Sequence, residues 1–203
     1  MDKAKIRLSP KEAELVLNAD WILTKNEILE KVKWILADLQ ARQHHFMADN
    51  PPFLPSEVTI IPAKISRGEN YKGLPYLILD YPRYFGKEDH FAIRSMFWWG
   101  NFFSITLHLT GVYKKIYEPG IAASFERLKN ESFFIGISND QWEHHFESGN
   151  YLPLTEISEA KFKNHVSARE FIKLAKKIPL DQWNEAEDIL FDSFCKMIAW
   201  LKG

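Results

Sequence analysis

The N-terminal quarter of the chain has the hydrophobic spacing of amphipathic helices. Ser9–Glu12 reads as a capping box with proline at the first helical position, and Thr24–Glu27 repeats the capping pattern. After the second box, one helical face is apolar, at Ile28, Val32, Ile35, Leu39 and Phe46. The pattern predicts two helices, of which the second follows Thr24–Glu27 and ends near His45.

The middle of the chain is rich in β-branched and aromatic residues in runs of strand length. Five segments are predicted to be strands: Glu57–Ser66, Leu74–Tyr81, Phe91–Trp99, Phe102–Thr110 and Ser132–Ser138. The connections between the first four are short, which favours antiparallel neighbours over crossover units.

Gly100-Asn101 is the clearest turn signal between these strands. Glycine at the first turn position suits a two-residue type II′ turn, which pairs Trp99 with Phe102. In that register Arg94 lies on one face of the hairpin and His108 lies on the other, because side chains alternate along each strand.

The sequence beyond the hairpin predicts mainly helices. Gly111–Lys129 has a helical pattern that Pro119-Gly120 should break into two pieces, and Asp140–Phe146 suggests a short helical turn. A third capping box at Ser167–Glu170 predicts a helix that ends near Ile178.

The last segment, Asp181–Leu201, has its apolar residues at helical spacing and predicts a core helix. The order of elements predicts the α+β class, with a central antiparallel sheet of four to six strands between N-terminal and C-terminal helices. We expect a single domain, with helices over 1–48, mainly sheet over 57–138 and helices over 167–201.

Composition narrows the possible functions. The 203 residues are 46% hydrophobic, and 26 basic side chains balance 27 acidic ones, which is typical of a folded chain. Nucleic-acid binding through phosphates needs a basic excess, so no nucleic-acid partner is expected. Cys195 is the single cysteine and cannot form a disulfide within its own chain.

No segment has the character of a membrane anchor or a secretion signal. The first residues are charged and polar, and the longest uncharged run, Ser95–Leu107, is shorter than the roughly 18 residues that a spanning helix needs. We therefore expect a cytoplasmic protein that does not bind membranes.

Motifs for common cofactors are also absent from the sequence. There is no nucleotide-binding glycine loop, no nucleophile elbow and no H-E-x-x-H pair. The adjacent histidines His44-His45 and His144-His145 point about 100° apart on a helix, which does not suit two ligands of one metal. We predict no cofactor and no metal, and enzymatic activity is left open.

Two polar residues stand out in the predicted hairpin. Arg94 lies in an otherwise apolar strand, so its guanidinium needs either a carboxylate partner within the protein or an anionic ligand. His108 belongs to a polar strip with Ser95, Ser104 and Thr106, which is either the solvent face or the lining of a cleft.

The connection between the first two predicted strands concentrates polar and aromatic side chains. Arg67, Tyr71, Lys72 and Tyr76 form either an anion-binding rim or an ordinary solvated hairpin end. Both interpretations stay open.

The run S-R-G-x-x-Y-K-x-L-P at Ser66–Pro75 resembles a segment of the YktB-like family. The proline pair Pro51-Pro52, the aromatic hairpin and the late strand ending at Asp140 are similar as well, so the resemblance covers roughly residues 50–140. It implies an α+β fold and no particular activity.

Two functions follow as hypotheses. The first is a pocket for a small anionic ligand on the sheet, with aromatic walls. Its candidate residues are Arg67, Tyr71, Lys72, Tyr76, Arg94, Trp98, Trp99 and His108. The second is a protein-interaction or homodimerisation module that uses an exposed aromatic hairpin around Trp99.

Overall fold

The computed structural model describes residues 6–50 and 54–201. Helix α1 spans Pro10–Leu17 and begins with the predicted capping box: the Ser9 hydroxyl accepts from the Glu12 amide at 3.3 Å, and the Ser9 amide donates to the Glu12 carboxylate at 2.7 Å. Helix α2, Ala19–Asp49, starts earlier than predicted because the Asn18 side chain already caps it. The capping box predicted at Thr24–Glu27 is therefore wrong, since it lies inside the helix.

Helix α2 is 31 residues long and packs on the sheet through one stripe only. Its buried residues are Leu29, Val32, Leu36, Leu39, Gln43 and Met47. The predicted end at His45 is four residues short of the observed end at Asp49, where the amide of Asn50 still donates to the Phe46 carbonyl. Pro51-Pro52 lies outside the described residues.

Seven strands among the described residues form one antiparallel sheet in the order β1-β2-β3-β4-β7-β5-β6. The strands are β1 Lys64–Tyr71, β2 Leu74–Phe85, β3 His90–Trp98, β4 Phe102–Thr110, β5 Phe134–Gly136, β6 Tyr151–Pro153 and β7 Phe171–Pro179. The α+β class is confirmed. The strand predicted from Glu57 is wrong in its first half, because Pro55 opens a short helix α3, Ser56–Thr59.

The sheet exceeds the predicted four to six strands because β7 was predicted to be a helix. Phe171, Leu174, Ala175 and Ile178 have helical spacing, yet this segment pairs with β4 along its whole length. Helix α6, Glu159–Ala168, precedes it, so the third capping box at Ser167–Glu170 lies at the end of a helix rather than at its start.

Helix α4, Gly111–Ala123, continues through Pro119, and Ser124 is its C-cap. The predicted break at Pro119-Gly120 is therefore misplaced, because buried Tyr117 and Ile121 on either side hold the helix against the core. Further along the chain lie α5 Phe125–Asn130, two short 3₁₀ segments at Leu154–Glu156 and Leu180–Glu185, and α7 Ala186–Trp200, which confirms the predicted C-terminal core helix.

The β3–β4 hairpin is paired one residue away from the predicted register. Trp98, not Trp99, lies opposite Phe102, and Trp99-Gly100-Asn101 form a three-residue turn in which the Asn101 amide donates to the Trp98 carbonyl at 3.1 Å. Gly100 has a φ of +70°, which suits glycine. Arg94 pairs with Thr106, which lies two residues from His108 and therefore on the same face of β4. The shift thus brings Arg94 and His108 to the same face of the sheet.

The two faces of the sheet are covered differently. One face forms the main apolar core with helices α2, α4 and α7. Its strand residues include Leu77, Leu79, Phe91, Ile93, Phe97, Phe103, Ile105, Leu107, Leu109, Ile172, Leu174 and Ile178. The other face has a small apolar cluster of Ile78, Met96, Trp98 and Phe102 and is otherwise polar at its centre.

No helix among the described residues combines the length and apolar character that crossing a membrane requires.

Two glycines with positive φ allow a test of the turns. We expect Gly100→Ala to lower the free energy of unfolding by about 1 kcal/mol, because a Cβ there meets no atom and only the backbone is strained. Gly111→Ala should cost about 2 kcal/mol, because its Cβ would lie 1.9 Å from Oδ1 of Asp89, which caps α4 at the Val112 amide. Urea unfolding measures both, and equal losses would contradict the tight contact at Gly111.

Candidate functional site

The polar face of the sheet is covered by an irregular segment, residues 137–150, which we call the strap. The strap connects β5 to β6 and contains no helix, so the helical turn predicted over Asp140–Phe146 is wrong. The physical reason is that side chains of the sheet bind the strap backbone directly and replace the hydrogen bonds of a helical turn.

The hydroxyl of Tyr71, at the end of β1, makes three hydrogen bonds to the strap, two of them with backbone amides. It accepts from the backbone amides of His144 at 2.8 Å and His145 at 3.1 Å, and it donates to the Glu143 carboxylate at 2.8 Å. Burial raises the pKa of Tyr71 to about 12, so the hydroxyl keeps the proton that it donates.

Two cationic side chains donate hydrogen bonds to backbone carbonyls of the strap. The guanidinium of Arg169 donates to the carbonyls of Ile137 and Ser138, where the strap leaves β5. The ammonium group of Lys173, on β7, donates to the carbonyl of Glu143. These contacts position the middle of the strap over β3 and β4.

A buried ion pair lies between β2 and β3 beside the strap. Nε and Nη2 of Arg94 donate to the two carboxylate oxygens of Asp80 at 2.7 and 2.9 Å, which is a bidentate arrangement. Of the two alternatives that the sequence left open for Arg94, a carboxylate within the protein or an anionic ligand, the structure shows the first. The pairing is direct because Asp80 lies opposite Arg94 in the strand register.

Arg94 also fixes the protonation state of His144. Nη1 of Arg94 lies 3.1 Å from Nε2 of His144. A guanidinium can only donate, so this ring nitrogen must be unprotonated and the neutral ring carries its proton on Nδ1. Burial and the charge of Arg94 hold the pKa of His144 well below its usual value, in agreement with the geometry.

Two further basic side chains are buried under the strap. Lys173 is 2% exposed, and burial together with the charge of Arg94 lowers its pKa to about 7. His108 lies opposite Lys173 and contacts the Gln141 side chain at 2.9 Å through Nε2. Burial and the nearby Lys173 lower the pKa of His108 to about 3, so its ring is neutral near pH 7.

A cavity of about 540 Å³ opens between the strap and the β1–β3 part of the sheet. It is lined by Lys64, Ser66, Tyr71, Tyr76, Ile78, Asp80, Arg83, Phe85, His90, Arg94, Met96, Trp142 and His144. Four of these side chains are aromatic rings of Phe, Tyr or Trp, two are apolar, and three carry fixed positive charge against one carboxylate. The cavity is thus apolar in its walls and positively charged overall.

Three of the eight predicted site residues line this cavity: Tyr71, Tyr76 and Arg94. Trp98 lies beside it in the apolar cluster and donates through its indole nitrogen to the Tyr71 carbonyl at 3.2 Å. Lys72, in the β1–β2 turn, is outside the cavity with its ammonium 3.9 Å from the Glu143 carboxylate.

The other three predicted residues, Arg67, His108 and Trp99, lie outside the cavity. Side chains alternate along β1, so Ser66 points to the cavity and Arg67 points away from it. Arg67 is paired with Glu69, which also binds Lys25 of α2. His108 is neither on a solvent face nor in the cavity, since the strap buries it to 5% exposure.

The aromatic hairpin predicted as an exposed interaction surface is covered within the chain. Phe102 is 3% exposed. Trp99 packs edge-on against Trp21 of α2 and against Phe97, with distances of 6.4 and 6.3 Å between the ring centroids. Helix α2 is longer at its start than the sequence indicated, and this extension supplies Trp21.

Sequence reasoning missed Asp80, His90, His144, Trp142 and Lys173 at or near the site. Asp80 could have been predicted from the sequence, since it is a single carboxylate in one apolar strand and Arg94 lies in the next strand. The sequence of the strap does not indicate which of its residues reach the site, because the path of the strap across the sheet depends on tertiary contacts.

The chain matches no family model, no curated protein and no solved structure. The resemblance of Ser66–Pro75 to the YktB-like family therefore stays a prediction. Within residues 6–50 and 54–201, no group of three or more His, Cys, Asp or Glu side chains is arranged to hold a metal ion.

Removing the Tyr71 hydroxyl should loosen the strap. We expect Tyr71→Phe to lower the free energy of unfolding by about 1–3 kcal/mol, because two amides and a carboxylate lose their partner. Hydrogen exchange at the His144 and His145 amides should accelerate. Tyr76→Phe is the control, with an expected change within about 0.5 kcal/mol; equal effects of the two variants would refute the anchoring role of Tyr71.

Stability should fall as the pH is lowered from 7 to 5. The folded protein keeps His108 neutral with a pKa of about 3, whereas the unfolded chain binds a proton near pH 6.5, so acid favours unfolding. His108 alone contributes a loss of about 2 kcal/mol over this interval. Urea unfolding at several pH values should show this slope, and His108→Gln should reduce it; an unchanged slope in this variant would contradict the assignment.

Proposed function

We propose that the protein binds a small organic anion, a carboxylate with an apolar or aromatic body, in the cavity between the strap and the sheet. The observation that carries the proposal is the guanidinium of Arg94 at the wall of an aromatic-lined cavity. The cavity volume of about 540 Å³ lies within the range of roughly 300–1,000 Å³ typical of small-molecule sites.

Hydrogen-bond donors of Arg94 that are not used within the protein favour an anionic group in the ligand. Asp80 and His144 use three of the five N–H groups of Arg94, and the other two have no acceptor among the described residues. A carboxylate is the group that such a planar pair of donors binds best. Lys64 and Arg83 add positive charge at the same cavity, and neutral His144 adds no competing anion.

The walls of the cavity favour an apolar body in the ligand. Tyr71, Tyr76, Phe85 and Trp142 present aromatic surface to the cavity, and Ile78 and Met96 are further apolar lining residues. Trp142 is 44% exposed although it contacts His90 at 5.4 Å between ring centroids, so a ligand in the cavity would cover more of it. Flat apolar groups gain most from such walls.

Calorimetric titration with three probes of one shape tests the proposal. Benzoate, benzamide and benzylammonium differ mainly in charge, and we expect benzoate to bind at least about tenfold more tightly than either of the others. The preference should weaken as salt is raised, because charges near the surface are screened. Failure of benzoate to bind, or equal binding of benzamide, would contradict an anion site.

A matched pair of variants locates the binding. Asp80→Asn/Arg94→Gln removes both charges of the pair without leaving one of them buried alone, and benzoate binding should be lost. Arg67→Gln removes a charge outside the cavity and should leave binding unchanged. Loss of binding in both variants, or in neither, would place the ligand elsewhere.

A further inference from the structure

The N-terminal helices expose an unusual amount of apolar surface. Helix α1 has no buried residue, and Leu17 is 84% exposed. Nine of the large hydrophobic side chains exposed within the described residues lie in this region: Ile6, Leu8, Leu15, Val16, Leu17, Trp21, Ile22, Leu23 and Trp34. Exposed apolar side chains that adjoin one another commonly mark an interaction site.

The outward face of α2 has a regular order of side chains. Leu23, Glu27, Lys31 and Trp34 are spaced by four, four and three residues, so they lie on one face, away from the buried stripe. Leu23 is 57% exposed and Trp34 63% exposed, and they are roughly 16 Å apart along the helix. A groove of about 500 Å³ lies between them.

The two charges in the middle of this face are unpaired. Glu27 and Lys31 are four residues apart, yet neither has an ion-pair partner among the described residues. Glu30, which also lines the groove, is already paired with Lys33 at 3.3 Å. Both charges are thus available to pair with opposite charges of a docking partner.

We propose that this face of α2 binds the same face of a second copy in antiparallel orientation. The order apolar, acidic, basic, apolar is complementary to its own reverse. An antiparallel two-fold pairing places Leu23 opposite Trp34 of the second copy and Glu27 opposite its Lys31, and the two-fold axis repeats both contacts. Each tryptophan then fills the groove beside the other copy's leucine.

Two of the nine exposed large hydrophobic side chains, Leu23 and Trp34, lie on the proposed face, and a two-fold pairing covers both of them in each copy. Trp34, at the edge of the groove, is the expected hot spot. The surface is independent of the ligand cavity, because α2 covers the opposite face of the sheet.

Sedimentation equilibrium of the full chain and charge-reversal variants tests this interface. The unmodified chain should dimerise reversibly, and Trp34→Ala should weaken the dimer by about tenfold or more. Glu27→Lys and Lys31→Glu should each weaken it to a similar degree, because two attractive pairs become repulsive. Circular dichroism and thermal unfolding check that the variants remain folded.

Mixing the two charge variants gives the sharpest result. Glu27→Lys carries two positive charges on this face and Lys31→Glu carries two negative ones, so the mixture should form heterodimers while each variant alone is mainly monomeric. A change confined to one helix cannot produce this rescue. A monomeric unmodified chain, a dimer indifferent to Trp34→Ala, or a mixture without heterodimers would overturn the proposal.

Discussion

The face of the sheet opposite the helices carries charged side chains at its centre, and this constraint determines how that face is covered. Arg94 and Lys173 lie on adjacent parts of this face, and an apolar helix packed there would leave both without partners. The chain instead covers the face with the strap, whose backbone carbonyls and side chains accept from these cations. The contact of Lys173 with the Glu143 carbonyl and that of Arg94 with His144 are the central examples.

The strap and the ion pair together account for the cavity. The strap is fixed above β3 and β4 by Tyr71, by Lys173 and by the contact of its own Gln141 with His108, and it does not extend over the outer part of β1 and β2. Arg94, paired on one side with Asp80, stands at the boundary between covered and open sheet. Arg94 lines the cavity while it is paired with Asp80, so the structural ion pair is compatible with the proposed role of Arg94 as a ligand anchor.

Much of the fold was predictable because it follows local rules. The cap at Ser9, the strand Phe102–Thr110 and the C-terminal helix all agree with the pattern of their own residues. The failures arise where tertiary contacts override that pattern. Strand β7 has helical spacing at Phe171 and Ile178, but pairing with β4 and burial of Lys173 under the strap decide its conformation. The hairpin register was missed because a glycine at the middle of a three-residue turn looks the same in sequence as one that opens a two-residue turn.

The candidate site was predictable to the extent that it depends on the strands. Tyr71, Tyr76 and Arg94 were identified from their place in the chain, whereas His144 and Trp142 reach the cavity only through the path of the strap. The most direct measurement is nuclear magnetic resonance of the arginine side chains during titration with benzoate. We expect the Arg94 Nε and Nη signals and the His144 ring to shift together and to saturate with the bound fraction. Unchanged Arg94 signals, with shifts confined to other parts of the molecule, would contradict an anion site at this guanidinium.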